Sequence, residues 1–386
     1  ADFPPALAQI KALIGDRQPA DLANLPHTQD PLLCETLALL VKIAPVTYLA
    51  APPLFPLIVF KQMELSITYG NAPASAFGYS TYGMILCGVL GELDLGYEYA
   101  QLALKLLSEF NAREFEAAVL MVIYRFISHW KAHYRKSLEP LQEGFRVGLE
   151  TGDLSYGGYC SHGYCLRLYL TGWELSETEG ELERSNEMLE AIAQSNSVNY
   201  SRPYWQAVLN LQGKSDLPHR LVGKAMNEES LTLYYQNAKN GSGLWGIYVT
   251  KATLCYLFEE FDEALSASTA AQQYLSAATS HPLIPIHCFY NSLLQLLEAE
   301  KAEGDKLSAT LEIVRENQKK MKRWGDSAPM NYLHKFYIVE AEYHRVMGKK
   351  AEAIEFYNSA IALAKENEYI QEEAIANELA AKFYLN

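Results

Sequence analysis

One spacing recurs along this chain and limits what it can fold into. Near its end, in "RVMGKKAEAIEFYNSAIALAKENEYIQEEAIANELAAKFYLN" (Arg345–Asn386), Ala353, Tyr357 and Ala360 stand four and then three residues apart, which puts them on one helix face. Lys349, Lys350, Glu352 and Glu355 fall where they can stay in water. Just upstream, Tyr337, Ala341 and His344 repeat the spacing, and Gly348 supplies the left-handed residue that ends their helix. The two segments predict a helical hairpin. A single hairpin cannot bury its own apolar face, so the pattern has to recur if such a chain is to fold.

It does recur. In "YVTKATLCYLFEEFDEALSASTAAQQYL", Tyr248, Ala252 and Cys255 lie on a first helix and Phe261, Ala264, Ser268 and Ala271 on a second. In "SAFGYSTYGMILCGVLGELDLGYEYAQLALKLL", Gly91, Gly96, Ala100 and Ala103 take the second-helix positions, and Leu141, Phe145 and Gly148 give a fainter match. Small residues at these places let two helix axes approach closely. Small, aromatic and small side chains at offsets of five, nine and twelve from Gly348 resemble the tetratricopeptide pattern. The expected fold is therefore all-α: a tetratricopeptide-like alpha-alpha superhelix, a solenoid of irregular helical hairpins. Its packing positions would be Gly96, Ala100, Ala103, Ala264, Ala271, Ala353, Tyr357 and Ala360. Residues 31–386 form the repeat domain on this reading, with 1–30 as an N-terminal extension, and Gly172 to Asn240 fits the spacing poorly.

Composition agrees. With 386 residues, 49% hydrophobic and 20% charged, the chain can fill a continuous core and is not disordered. No run of alternating β-branched residues is closed by a tight Asn-Gly or Asp-Gly turn. A formal charge of −14 is repelled by phosphate backbones, and the basic cluster Lys319, Lys320, Lys322 and Arg323 reads as a solvated helix end, so no nucleic-acid partner is expected. Cysteines 34, 87, 160, 165, 255 and 288 are scattered through helical sequence, which is cytoplasmic usage. The chain opens "ADFPPALAQI", with no basic region ahead of an apolar run. Between Lys42 and Lys61, "IAPVTYLAAPPLFPLIVF" reaches spanning length without a charge. Pro45, Pro52, Pro53 and Pro56 break it, so two buried helices joined at Ala51 to Pro56 are expected and not a membrane span.

Several stretches imitate catalytic motifs and fail on context. "GSGLWG" (Gly241, Gly243, Gly246) has dinucleotide-loop spacing but follows the helix-like "LTLYYQNAKN" where a strand is required, so Asn240 to Gly243 reads as a C-cap and turn. "GKS" at Gly213 to Ser215 has Val208 where a phosphate loop needs glycine. "CSHGYC" offers Cys160, His162 and Cys165, but zinc needs four ligands and this spacing spreads them around a helix; His281, His287 and Cys288 lack a second pair. No histidine is spaced to activate a nucleophile. No cofactor, metal or catalytic residue is expected.

Tyrosine is the unusual component, at 26 against 14 phenylalanines. Tyr79, Tyr82, Tyr156, Tyr159 and Tyr164 alternate with glycines and suit either aromatic packing between helices or a stacking surface for a ligand. The phrases "YGNAPASAFGYSTYGMILCG" (Tyr69–Gly88), "SHWKAH" (Ser128–His133), "LNLQG" (Leu209–Gly213), "NQKKMKRWGDSAPMNYLHKFYIVEAEYHRVMG" (Asn317–Gly348) and "ANELAAKFYL" (Ala376–Leu385) resemble the tetratricopeptide-like helical region of large bacterial hybrid signalling kinases. In that family the region follows a serine/threonine kinase and an AAA-type ATPase and precedes a GAF sensor and a histidine kinase. The resemblance runs from about Asp30 to the end. It implies an excised middle, cut at its C-terminal end, of a cytoplasmic bacterial two-component protein. The kinase signatures, a His-Arg-Asp loop, Asp-Phe-Gly and a Walker A, are not in this sequence.

The expected function is that of a non-catalytic regulatory and protein-interaction module coupling the ATPase, kinase and sensor domains of the same polypeptide. A solenoid presents its concave surface chiefly from first helices. In this register the groove would hold Thr81, Ile85, Thr253, Tyr256, Lys335, Glu342 and Arg345, with Lys335 and Arg345 able to take an acidic segment. The alternative is a small-molecule sensor, for which a closed apolar pocket lined by Tyr79, Tyr156 or Tyr204 and Trp205 would be the sign. Apolar surface at a cut solenoid end could also pair two copies.

Overall fold

In the computed structural model, which describes residues 3–385, the C-terminal hairpin forms where its periodicity places it. Helix Pro329–Val346 ends at Gly348, whose φ is +71°, and Lys350–Glu366 returns with Ala353, Tyr357 and Ala360 buried. The Gly348 and Lys349 amides donate to the Arg345 and His344 carbonyls, so the left-handed residue closes the helix end. Tyr357 then donates its hydroxyl to the Glu342 carboxylate across the pair.

The other predicted hairpins pack through small residues. A Cβ on Gly96 of helix Leu93–Phe110 would lie 2.4 Å from the Cys87 sulfur and 2.7 Å from the Gly83 carbonyl oxygen. One on Gly148 of helix Leu138–Thr151 would lie 2.7 Å from Gly157 Cα in helix Leu154–Leu170. Ala100 and Ala103 are fully buried on the first of these second helices, and Ala264 and Ala271 on helix Phe261–Gln272. The most extensive helix contacts join sequence neighbours.

Among the described residues the chain is all-helical, with nineteen α-helices, short 3₁₀ and π turns and no strand. The poorly matching stretch is helical too, in Leu175–Ala191, Ser195–Leu211 and Glu228–Asn237. Its long connection is held by side-chain amides: Gln206 Oε1 accepts from the Ala225 amide at 3.0 Å, and Asn210 donates to the Pro218 carbonyl at 3.0 Å. Before Asp30, helices Phe3–Ile14 and Pro19–Leu22 dock through Ile10 and Leu22, and Asn71 donates to the Leu22 carbonyl at 2.8 Å.

One proline behaves differently from its sequence reading. Helix Pro31–Ala50 runs through Pro45, and the break comes at Ala51 and the 3₁₀ turn Pro52–Leu54 before helix Phe55–Tyr69. Proline leaves the carbonyl four residues earlier without its amide, and here that carbonyl, of Val41, accepts the Tyr156 hydroxyl at 2.9 Å. Among the described residues Pro31–Ala50 is the one helix long and apolar enough to cross a membrane. Its Leu33, Leu37, Val41 and Ala44 are buried in the core, while Leu32, Leu39 and Val46 are exposed.

A helical stack with contacts only between neighbours would be open along its length. This one is closed. The segment from Ser128 to Ser137 leaves the helical path and packs against residues far along the chain. His129 is bonded to Tyr332 and to the Ser280 carbonyl, and Trp130 donates to Ser280 Oγ at 2.9 Å. Asn331 donates to the His129 and Ala132 carbonyls, both at 2.8 Å, and accepts the Tyr369 hydroxyl at 2.8 Å. Arg135 pairs with Glu368 and donates to the Thr171 carbonyl at 3.1 Å. "SHWKAH" and "SAPMNYLHK" are thus the two halves of one clasp.

Candidate functional site

Inside the closed stack, helices from both halves converge on a cavity of about 70 Å³, several times the room one ordered water needs. Pro45, Tyr48, Phe77, Met84, Tyr156, Tyr204 and Trp245 are among its walls. Pro45, Leu49 and Ser242 are partly exposed and mark its solvent side.

Arg125 is the one cation on the wall, and no aspartate or glutamate lines the cavity. It is 8% exposed and lies in a π-helical turn, Ile123–Ile127, that continues helix Arg113–Val122. Such turns are frequent at functional sites. Among the described residues its guanidinium has no ion pair and no hydrogen bond, Nε is buried without a partner, and the guanidinium carbon lies 5.0 Å from the Phe126 ring centre, a cation–π contact. Arg167 fixes the turn from behind, donating to the Tyr124 and Arg125 carbonyls at 2.9 and 2.8 Å and lying 4.7 Å from the Tyr134 ring centre. Burial pulls the Arg167 pKa down to about 10.

The other orphan polar groups on the wall are His162, with both ring nitrogens unpartnered, the Trp245 indole N–H and the Tyr235 hydroxyl; each residue is 1% exposed. Burial, reinforced by Arg125, holds the His162 pKa well below the usual histidine value, so the ring is neutral. His162 stacks on Tyr204 at 5.8 Å, and His281 meets Trp245 edge-on at 5.1 Å. His281 Nδ1 accepts from the Leu283 amide at 3.2 Å, and burial keeps this ring neutral as well. Native interiors leave few such groups unsatisfied, and each one needs a reason.

"GSGLWG" forms part of this wall. Asn240 serves both helix ends: with Lys239 left-handed at φ +52°, its amide donates to the Tyr235 carbonyl at 2.9 Å and closes helix Glu228–Asn237, while its side chain accepts from the Gly243 amide at 2.9 Å and caps the start of helix Gly241–Leu257. A Cβ on Gly243 would lie 2.6 Å from the Tyr235 ring, so glycine here makes room for an aromatic. "CSHGYC" is split three ways: His162 enters the cavity, Cys160 donates to the Ala117 carbonyl at 3.5 Å, and Cys165 packs with Leu182 and Val208. His287 is bonded to Ser268 and Cys288 to the Asn317 carbonyl. Among the described residues no three metal-ligating side chains gather.

The expected groove residues separate into three places. Thr81 lines the cavity. Tyr256, Glu342 and Arg345 share a groove of about 500 Å³ with Phe261, Glu300 and Phe383, and Arg345 there pairs with both Glu300 and Glu342. Ile85, Thr253 and Lys335 are buried and face neither. Lys335 is covered by helix Ile370–Leu385, whose Glu372 it meets at 2.8 Å, and its ammonium lies 4.6 Å from the Tyr369 ring centre. Of the tyrosines and tryptophan expected at a sensor pocket, Tyr156 and Tyr204 are present; Tyr79 donates to Asn71 at 2.9 Å, and Trp205 faces another cluster. Sequence reasoning missed Arg125, although a lone arginine inside the apolar run "MVIYRFI" was its signal.

No family model matches the chain. Over 184 residues it is 24% identical to hybrid signal transduction histidine kinase G of Dictyostelium discoideum. That stretch is 47% of this chain and 5% of the Dictyostelium protein. The likeness is distant, partial and to a protein that is not bacterial; what it supports is a signal-transduction context. None of the orphan groups gathered around Arg125 is a hydroxyl or thiol held against a base.

Proposed function

We propose that this chain is a non-catalytic regulatory module of a multidomain signalling kinase, a tetratricopeptide-like helical superhelix that binds a small effector in the Arg125 cavity. Its occupancy is passed to the domains attached to it. The single observation that carries this reading is a buried guanidinium without a counter-ion on the wall of a cavity. An ion kept in such a place is destabilising by several kcal/mol unless something compensates it, and a ligand that does so is bound in proportion. The route outward is short, because Arg125 is four residues from His129, in the π turn that leads directly into the clasp segment.

A thermal-shift screen of a metabolite library against the chain tests the binding step. Ligands that raise the melting temperature, and that change kinase output of the multidomain protein, support the reading; uniform melting across the library removes it. The groove of Tyr256, Glu342 and Arg345 favours a second reading, docking of a protein segment from an attached domain. Arg345→Glu would then lower recovery of that domain with the chain, and unchanged recovery would count against the groove.

A further inference from the structure

The groups on the cavity wall narrow the chemistry of what it holds, on the reading that the cavity is an effector site. Its inventory is one guanidinium, two neutral imidazoles, an indole N–H and the Tyr235 hydroxyl without partners, further tyrosine hydroxyls on Tyr48, Tyr156, Tyr159, Tyr200 and Tyr204, no carboxylate, and otherwise apolar rings, methionines and aliphatic side chains. Thr81 and Ser242 already donate, to the Phe77 and Ala277 carbonyls. A bound cation would be repelled by Arg125 and would find no carboxylate to balance it. A dianion would leave one charge uncompensated away from water, and a sugar would strand its hydroxyls against Phe55, Phe77, Met84 and Met121. What remains is a single negative charge with planar acceptors, which the arginine fork matches in two parallel hydrogen bonds.

We infer that the cavity binds a small monocarboxylate with an apolar, ring-sized body, its carboxylate on Arg125 and its body among Phe77, Met84, Tyr156, Tyr204 and Trp245. The Trp245 N–H and the Tyr235 hydroxyl are spare donors on the same wall. Unliganded, the protein offsets the Arg125 charge only through the Phe126 ring; liganded, it has a counter-ion as well.

The test uses the whole chain and defined probes: phenylacetate, indole-3-acetate and octanoate as acids, phenylacetamide as neutral isostere, phenyl phosphate as dianion and phenethylamine as cation. Calorimetry is expected to show an acid bound about tenfold or more tighter than its amide, with the amine not bound. The octanoate arm separates linear from ring bodies. Arg125→Met is expected to erase the preference for acid over amide and, without ligand, to melt above the wild-type chain because an uncompensated buried charge is gone. Should that variant fail to fold, Arg125→Lys keeps the charge without the fork and is expected to retain a weakened preference. Equal binding of acid and amide, an acid preference that survives Arg125→Met, or no binding of any probe overturns the inference. In the last case a hit of another class in the metabolite screen would leave the effector reading standing.

Discussion

His129 Nδ1 lies 2.6 Å from the hydroxyl of Tyr332, 203 residues further along the chain. The other ring nitrogen, Nε2, is 3.2 Å from the Ser280 carbonyl, which can only accept, so Nε2 carries the proton and Nδ1 accepts from Tyr332. Three distant segments therefore share one imidazole. Ser280 in turn donates its hydroxyl to the Phe126 carbonyl at 2.6 Å, one residue from Arg125. This makes the clasp and the cavity wall parts of one hydrogen-bonded assembly, and it ties three interior segments of the helical array that neighbour contacts alone would leave to open separately.

Tyr332→Phe deletes the hydroxyl that His129 and Tyr134 use. The expected loss is about 1–3 kcal/mol of stability, measured by urea denaturation. Hydrogen exchange should quicken together in residues 128–137, around Ser280 and in helix Pro329–Val346. Faster exchange in that helix alone would show that the clasp is not a unit.

The hairpins were legible because they are periodic. Gly96, Ala100 and Ala353 are small at the intervals where helix axes meet, and one glycine, Gly348, ended a helix where the spacing stopped. The closure was not legible, since Ser128–Ser137, Ser280 and Asn331 are turn or helix-end residues with no period, joined across 150 to 203 positions. That closure also explains Lys335. Its helix is packed on more than one face, so a position facing a groove in an isolated hairpin is covered by helix Ile370–Leu385. At the cavity, aromatic content pointed to Tyr156 and Tyr204, but the decisive Arg125 is a single residue in a π turn, which hydropathy periodicity treats as an interruption.

Lys335 and Glu372 form a buried ion pair, and burial pushes the lysine pKa down and the carboxyl pKa up despite their mutual attraction. Lys335→Met leaves a buried carboxylate alone and should cost about 3–5 kcal/mol. The double variant Lys335→Met with Glu372→Leu should recover most of it. If the single and double variants unfold at the same urea concentration, the two residues are not coupled.

Two glycine-to-alanine changes separate packing from propensity. At Gly96 the new methyl meets the Gly83 carbonyl oxygen at 2.7 Å, where backbone would have to shift, and about 1–3 kcal/mol should be lost. At Gly180, inside helix Leu175–Ala191, nothing lies within 4 Å of the added Cβ, and the same change should gain roughly 0.5–1 kcal/mol. Equal effects at the two sites would mean that the close approach of helices Ser75–Ile85 and Leu93–Phe110 does not constrain position 96.

Acid should destabilise this protein earlier than its carboxylates alone would allow. Burial holds His129, His162, His281 and His334 well below 6.5 in the folded chain, with Arg125, Arg167 or Lys335 adding to the effect. Unfolding releases them to titrate near the ordinary value of about 6.5, so below that pH the unfolded state binds protons that the native state refuses. Their contribution is complete above 6.5 and drains as pH falls, at up to about 1.4 kcal/mol per pH unit for each ring. Glu372 and Glu116, whose pKa values burial raises, work in the opposite sense, while His133 and His287, also lowered by burial, add to the four rings. Urea midpoints at pH 7.5, 6.0 and 5.0 should therefore fall steeply, and His162→Phe should flatten the curve by one ring's share. A midpoint that stays level from pH 7.5 to 5.0, or a His162→Phe curve parallel to the wild type, would mean that these histidines are protonated inside the fold, and Arg125 would then have cationic neighbours that only an anion could stabilise.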